Sequence, residues 1–284
     1  MLGSIRSLRS VNLPLERRST TLSELPHTTD AATAIPRLVE RHGDRIYALG
    51  LSLCDNPDNA DDLVQETFLR ALKSWDSFEG RSQASTWLYT IATRACRRMQ
   101  RRRAGEPRRM EPLQRVLPSG DEGVIQLPSD DDPEADAVRA EATEAVLRAV
   151  ARLPLEFRLP FVLKEMADFS VSEIADTLDV KPATVKTRLH RARLKVRQEL
   201  TGSLPRRAGA PPDHTREACL ALLRAKQESM DHDRDFPLDD DQLCERCRSV
   251  FETLDLGRSI CRALGDATMP ADVRAALDRA LSAN

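Results

Sequence analysis

The chain has 284 residues, 40% of them hydrophobic and 4% aromatic, with 43 lysines and arginines against 45 aspartates and glutamates and a formal net charge of -2. That length suits about two domains, and so few aromatic residues suit small helical modules better than one large core. No apolar run approaches the roughly 20 residues needed to span a bilayer, and no signal-peptide core follows the N-terminal arginines, so a cytoplasmic protein with no membrane partner is expected. The near-neutral total hides a segregation, because arginine crowds residues 94–115 and lysine and arginine crowd 181–207, whereas residues 213–241 are rich in Asp and Glu. A nucleic-acid-binding body joined to an acidic tail is the simplest reading, and the two can pair with each other when nucleic acid is absent.

Residues 1–30 carry Arg6, Arg9, Arg17 and Arg18 among many Ser and Thr and read as a disordered extension or a misassigned start. Helical periodicity starts near Ala34, with Ile35, Leu38, Tyr47, Ala48 and Leu51 as markers, and runs to about Arg103 with breaks at Asn56-Pro57 and around Gly80. Three or four helices therefore fill a first domain, 31–103. In NADDLVQETFLRA, starting at Asn59, the polar residues Asp61, Asp62, Gln65 and Glu66 oppose Leu63, Phe68 and Leu72, giving one apolar and one acidic face. The acidic face either seeks a partner or is simply solvated. In STWLYTIATRACRRMQRRR, starting at Ser85, an aromatic-bearing helix ends in arginines, a combination suited to holding single-stranded DNA by phosphate pairing and base stacking. Trp87, at helical spacing, reads as a packing residue.

Residues 104–133 are rich in Pro, Gly and charge with no sustained period, which is the composition of a flexible linker. Helices resume near Glu134 in a second domain, 134–201. There Ser170 and Glu173 form a capping box, and Ile174, Ala175 and Leu178 give a buried stripe. Asp179-Val180 makes a turn, and Pro182 sits where a first helical residue needs no amide hydrogen. Along the following helix Val185, Leu189, Ala192 and Val196 recur at helical spacing, while Lys186, Arg188, Arg191, Arg193, Lys195 and Arg197 occupy the other faces. This is the grammar of a helix-turn-helix, whose second helix enters the major groove by its N-terminal part. Thr184, Lys186, Thr187, Arg188 and Arg191 are the candidates for base edges and nearby phosphates, and the later cations for backbone alone.

A second linker, 202–212, leads to a third helical segment, 213–284. Cysteines stand at 54, 96, 219, 244, 247 and 261, and only Cys244 and Cys247 form a CxxC. Four cysteines late in a chain from a reducing compartment suggest metal or thiol chemistry rather than structural disulfides. MPADVRAALDRAL, starting at Met269, places Val273, Leu277 and Leu281 on one stripe of a last helix. No alternation of Val, Ile and Thr persists, so the fold class is all-α: two small helical domains, a flexible linker between them, and a C-terminal helical domain. No glycine-rich phosphate loop, HExxH or GxSxG is present and the five histidines are ungrouped, so no enzyme is expected.

The order of these blocks resembles that of a bacterial RNA polymerase sigma factor of the extracytoplasmic-function (ECF) group, over roughly residues 34–200. NADDLVQETFLRALKSWDSF and STWLYTIATRACRRMQRRR resemble its promoter-melting region two, and residues 145–200 its region four. The resemblance implies core RNA polymerase and promoter DNA as partners, no bond chemistry and no required cofactor. It assigns Asp61, Asp62, Gln65 and Glu66 to a coiled-coil element of the polymerase's largest subunit. It assigns Arg94, Arg97, Arg98, Arg101 and Arg102 to the minus-ten element, with residues 82–85 near a loop that can receive a flipped base, and Thr184, Lys186, Thr187, Arg188 and Arg191 to the minus-thirty-five element. Arg94 departs from the Asn that the family commonly has there. A relaxed linker of about 30 residues averages about 30 Å end to end. A spacer of about 17 base pairs covers nearly 58 Å, so the linker must be held stretched to bridge it.

The C-terminal segment resembles the zinc-binding helical domain of anti-sigma factors, with Asp240 where that motif has histidine. This implies a zinc site of Cys219, Asp240, Cys244 and Cys247, or one with His214 or His232 in place of Asp240. The cysteines read equally as a dithiol or as buried small hydrophobes, with Cys261 a further soft ligand. Regulation then comes from this intramolecular domain or from a separate anti-sigma factor. A stand-alone helix-turn-helix regulator, or a metal or redox sensor, is the competing reading.

Overall fold

The computed structural model describes residues 29–54, 57–80, 83–103, 110–118, 123–126, 135–211, 213–238 and 242–283, with 101–103 as backbone only. The expected N-terminal extension, the aspartates at 130–132, Ser82 and Asp240 lie outside them. The elements are α1 (Ala31–Leu53), α2 (Pro57–Ser74), a 3-10 turn (Trp75–Ser77), α3 (Ala84–Arg103), α4 (Leu113–Val116), β1 (Val124–Ile125), α5 (Ala135–Arg152), α6 (Leu155–Glu165), α7 (Val171–Leu178), α8 (Pro182–Ser203), β2 (Arg206–Arg207), α9 (Arg216–Asp231), α10 (Glu245–Gly265) and α11 (Ala271–Ser282). All but two two-residue strands are helical, as the patterning predicts.

In the first unit α1, α2 and α3 pack around Ile46, Leu49, Leu53, Leu63, Phe68 and Tyr89, all but excluded from solvent. Gly50 lets α1 close on α2, since a Cβ there would meet Ala60 Cα and Cβ at 3.0 Å. Trp87 leans on Trp75 and Phe78, with ring centroids 5.6 and 5.1 Å away, so it packs as expected. In the second unit the expected capping box is present. Ser170 Oγ accepts from the Glu173 amide at 3.2 Å and Glu173 Oε2 from the Ser170 amide at 2.8 Å. Asp179 makes the turn with φ 55°, a left-handed conformation that Asp tolerates better than most residues, and Pro182 opens α8.

Two features differ from the sequence reading. The two units do not have separate cores: one continuous apolar cluster runs from Ile35 through Leu63 and Phe161 to Cys261 and Leu277. Arg158 of α6, 4% exposed, cements them, donating to the Leu53 carbonyl at the end of α1 at 3.2 Å and to the Ala151 carbonyl at 2.8 Å. Tyr89 of α3 stacks on Phe169, before α7, at 4.7 Å. The segment expected as a structureless linker also carries α4 and β1. β1 pairs antiparallel with β2, Val124 opposite Arg207 and Ile125 opposite Arg206, and the Ile125 amide donates to Ser249 Oγ on α10 at 2.9 Å.

Candidate nucleic-acid interface and its cover

The basic helix α8 is where the sequence places the groove-reading side chains. Thr184 is half-buried and Thr187 exposed, its hydroxyl donating back to the Ala183 carbonyl. The cations beside them are occupied from within the chain. Lys186 Nζ donates to Glu228 of α9 at 2.6 Å. Arg188 meets Glu156 at 3.3 Å. Arg191 donates to the Glu111 carbonyl at 2.6 Å, its guanidinium 5.0 Å over the Phe157 ring, and Lys195 reaches the Glu111 carboxylate at 2.9 Å. Glu111 belongs to the linker, so the helix is covered by both linker and tail.

The centre of this cover is a buried ionic network that the sequence analysis missed. Arg193 and Arg197, expected as exposed backbone-contacting cations, are 3% and 4% exposed. Arg193 bonds Glu165 of α6 at 2.8 Å and Asp231 of α9 at 2.5 Å, and Asp231 also bonds His190 at 3.1 Å. Burial alone would raise the Asp231 carboxyl, but His190 and Arg193 hold it below its ordinary value. Burial likewise works against the Arg193 charge, and Glu165 and Asp231 more than restore it. Asp231 is the last residue of α9, where the helix dipole disfavours an anion, so only the tertiary partners explain it. Two residues on, Asp233 with φ 51° bonds Lys164 at 2.6 Å and pairs with Arg258 and Arg262 of α10. Apolar contacts close the same seam: Leu194 of α8 lies in one cluster with Leu223, Met230 and Leu254.

On the first unit, Arg94 is exposed and Arg97 half-buried, while Arg98 bonds Glu66 at 2.5 Å. The Arg101 and Arg102 side chains lie outside the described residues. The acidic face of α2 is present as expected: Asp62 and Gln65 are exposed, and Glu66 is paired to Arg70 at 3.0 Å as well as to Arg98. With Leu69 and Met99 they line a groove. Asp61 stands apart on the flank where α11 packs, and burial, then Asp58, Asp272 and Asp62, push its carboxyl up. α11 is held by Met269 and Arg274, the Met269 amide donating to Asp44 at 3.0 Å and Arg274 approaching the same carboxylate at 3.7 Å.

The ligand atoms of Cys219, Cys244 and Cys247 lie within 4.8 Å of one another. Cys244 caps α10 and bonds the amides of Cys247, Asp213 and Arg246, which outweigh burial and lower its thiol. Burial, then the Cys244 and Cys219 thiols, push Cys247 up, a mutual repulsion that a bound cation relieves. His232 sits instead at the far end of α9 on Glu228, at 3.0 Å, and Cys261 is fully buried away from the cluster. A second thiol pair, Cys54 with Cys96, joins α1 to α3, and a separation of 42 residues gave no signal of it. Among the described residues no helix is long and apolar enough to cross a membrane.

A capped helix-turn-helix behind a three-helix unit with an acidic face and an arginine-ended helix defines a DNA-binding protein of the transcription apparatus. Residues 38–106 match the family model for Sigma-70 region 2, and residues 143–196 that for Sigma-70, region 4. The chain is 33% identical to ECF RNA polymerase sigma factor SigW of Bacillus subtilis, over 59% of its own length and 89% of that protein's. It is 36% identical to ECF RNA polymerase sigma factor SigE of Mycolicibacterium smegmatis, over 57% of its own length and 60% of the relative's. A solved chain, CnrH in complex with the cytosolic domain of CnrY, is 23% identical over 61% of this chain and 93% of that one, with a TM-score of 0.42. The chain belongs to the ECF RNA polymerase sigma factors. Neither family model reaches past residue 196, so α9, α10 and α11 lie beyond the matched regions.

Proposed function

We propose that this chain directs core RNA polymerase to promoters, assists strand opening, and is held inactive in cis by its C-terminal segment and linker. The observation that carries the cis part is the ionic seam of α8: Lys186, His190 and Arg193 face Glu228 and Asp231 of the tail. These carboxylates occupy the place of DNA phosphates, so the tail does the work of a separate anti-sigma factor. In the released state Thr184, Lys186, Thr187, Arg188 and Arg191 read the minus-thirty-five element. Arg94, Arg97, Arg98, Arg101 and Arg102 meet the minus-ten element, while Asp61, Asp62, Gln65 and Glu66 anchor the chain to polymerase. The units 31–103 and 134–201 then act as separate bodies on a stretched linker, in the cytoplasm.

The sulfur set of Cys219, Cys244 and Cys247 fits a thiophilic ion such as zinc, which prefers four ligands of this kind. Asp240 supplies a fourth ligand in this reading. The ion's chemistry is structural: it ties the start of α9 to the start of α10. Metal analysis of the full-length protein should find about one equivalent of zinc. Cys244→Ala should abolish it, and protein purified metal-free that keeps its melting temperature on zinc addition would exclude the site.

Start-site selection by core polymerase on a pool of bacterial promoter fragments tests the whole reading. Full-length wild type should select starts weakly and a variant with a broken seam strongly. Failure of both, whatever the metal or thiol state, would leave the stand-alone regulator or sensor as the better reading.

A further inference from the structure

The tail does not cover every working surface equally. The groove of Asp62, Gln65, Glu66, Leu69, Arg70 and Met99 is lined by α2 and α3 side chains alone. Its ion pairs, Arg70 and Arg98 with Glu66, are made within the first unit. The one contact of the tail near this face is α11, which takes the opposite flank at Asp44 and Asp61. Exposed Asp62 and Gln65 beside the partly apolar Leu69 and Met99 suit an amphipathic helical element with a cationic edge. By contrast, the promoter-reading helix has Lys186, Arg191, Arg193 and Lys195 all engaged by tail or linker.

Resting on the sigma-factor reading above, we propose that the closed chain docks on core polymerase through the α2–α3 groove while α8 stays covered. The tail therefore acts after polymerase capture, giving a bound but promoter-blind state, and release needs no exchange of partners. Docking of a basic polymerase helix on Asp62 leaves the α11 flank untouched, so the two contacts are compatible in space.

Three full-length proteins test this: wild type, Glu228→Lys/Asp231→Lys, which repels α9 from α8, and Asp62→Lys/Gln65→Ala in the groove. Each is measured for affinity to immobilised core RNA polymerase and, separately, to a fluorescent duplex of random sequence without polymerase. Wild type and the α9 variant should bind polymerase equally, the groove variant about tenfold more weakly, and the α9 variant should bind duplex about tenfold more tightly than wild type. Polymerase binding that strengthens markedly in the α9 variant would mean the tail blocks docking and overturns the proposal. A groove variant indistinguishable from wild type overturns it too, and unchanged duplex binding in the α9 variant removes the blinding role of the cover. If no form binds polymerase at all, the sigma-factor reading itself fails, a result distinct from any of these.

Discussion

Asp231→Asn removes one charge from the seam while preserving shape. Asp231 and Arg193 have side chains 0% and 2% exposed, so the change leaves a buried guanidinium with Glu165 as its remaining carboxylate. Breaking a buried pair by removing one partner costs about 3–5 kcal/mol, and the surviving Glu165 contact argues for the low end, about 3 kcal/mol. Relief of an anion at the C-terminus of α9 returns about 0.5 kcal/mol. The net, about 2.5 kcal/mol, corresponds to an increase on the order of 70-fold in the ratio of open to closed chain. While the open form stays a minority, apparent affinity for duplex DNA rises by the same factor, because only that form is competent. Binding of the full-length protein to random duplex, alongside hydrogen exchange of α8 and α9, reads both sides of the equilibrium. A change smaller than about threefold, with α9 still protected, would show that the ionic seam does not hold the tail.

Other residues move the same equilibrium by different physics. A Cβ on Gly265 would stand 2.3 Å from the Met166 carbonyl oxygen, so Gly265→Ala should push the end of α10 off the second unit at a cost of about 1–3 kcal/mol, seen as faster exchange in α10. The Tyr89 hydroxyl is buried with no partner, so Tyr89→Phe should favour the closed form by about 1 kcal/mol and weaken duplex binding. His42 is buried with Nδ1 unpartnered, and burial, then Arg45 and Arg41, lower its pKa from 6.5 to about 4. Because the folded value lies below the unfolded one, its stability contribution is complete above about pH 6.5 and is lost as pH falls towards 4, up to about 3 kcal/mol. His42→Leu should shrink the loss of thermal stability between pH 7 and pH 4.5; an equal loss in both proteins would assign the acid sensitivity elsewhere. Freed of its cover, α8 offers Lys186, Arg188 and Arg191 to phosphates, so an opened variant should steepen the salt dependence of duplex binding by about 2.7 log units per log unit of salt.

What sequence made legible was local. The capping box at Ser170, the Asp179 turn, the break at Pro57 and the packing role of Trp87 each depend on neighbours within a turn or two of chain. The burial of Arg193 and Arg197 depends on a helix almost forty residues away, and a cation on an amphipathic helix has the same spacing whether it meets phosphate or Asp231. The order in the linker was hidden for the same reason, since β1 exists only because β2 and Ser249 offer it partners. The acidic composition of residues 213–241 did point to pairing with the basic body, although not to which carboxylates would carry it.

The strand β1 has a further consequence for reach. The polypeptide that must stretch towards 58 Å across a promoter is, in the closed molecule, stowed along α8 and pinned at Ser249 and Pro205. No slack can be paid out while α10 keeps its grip, so unseating the tail and lengthening the tether become a single mechanical event.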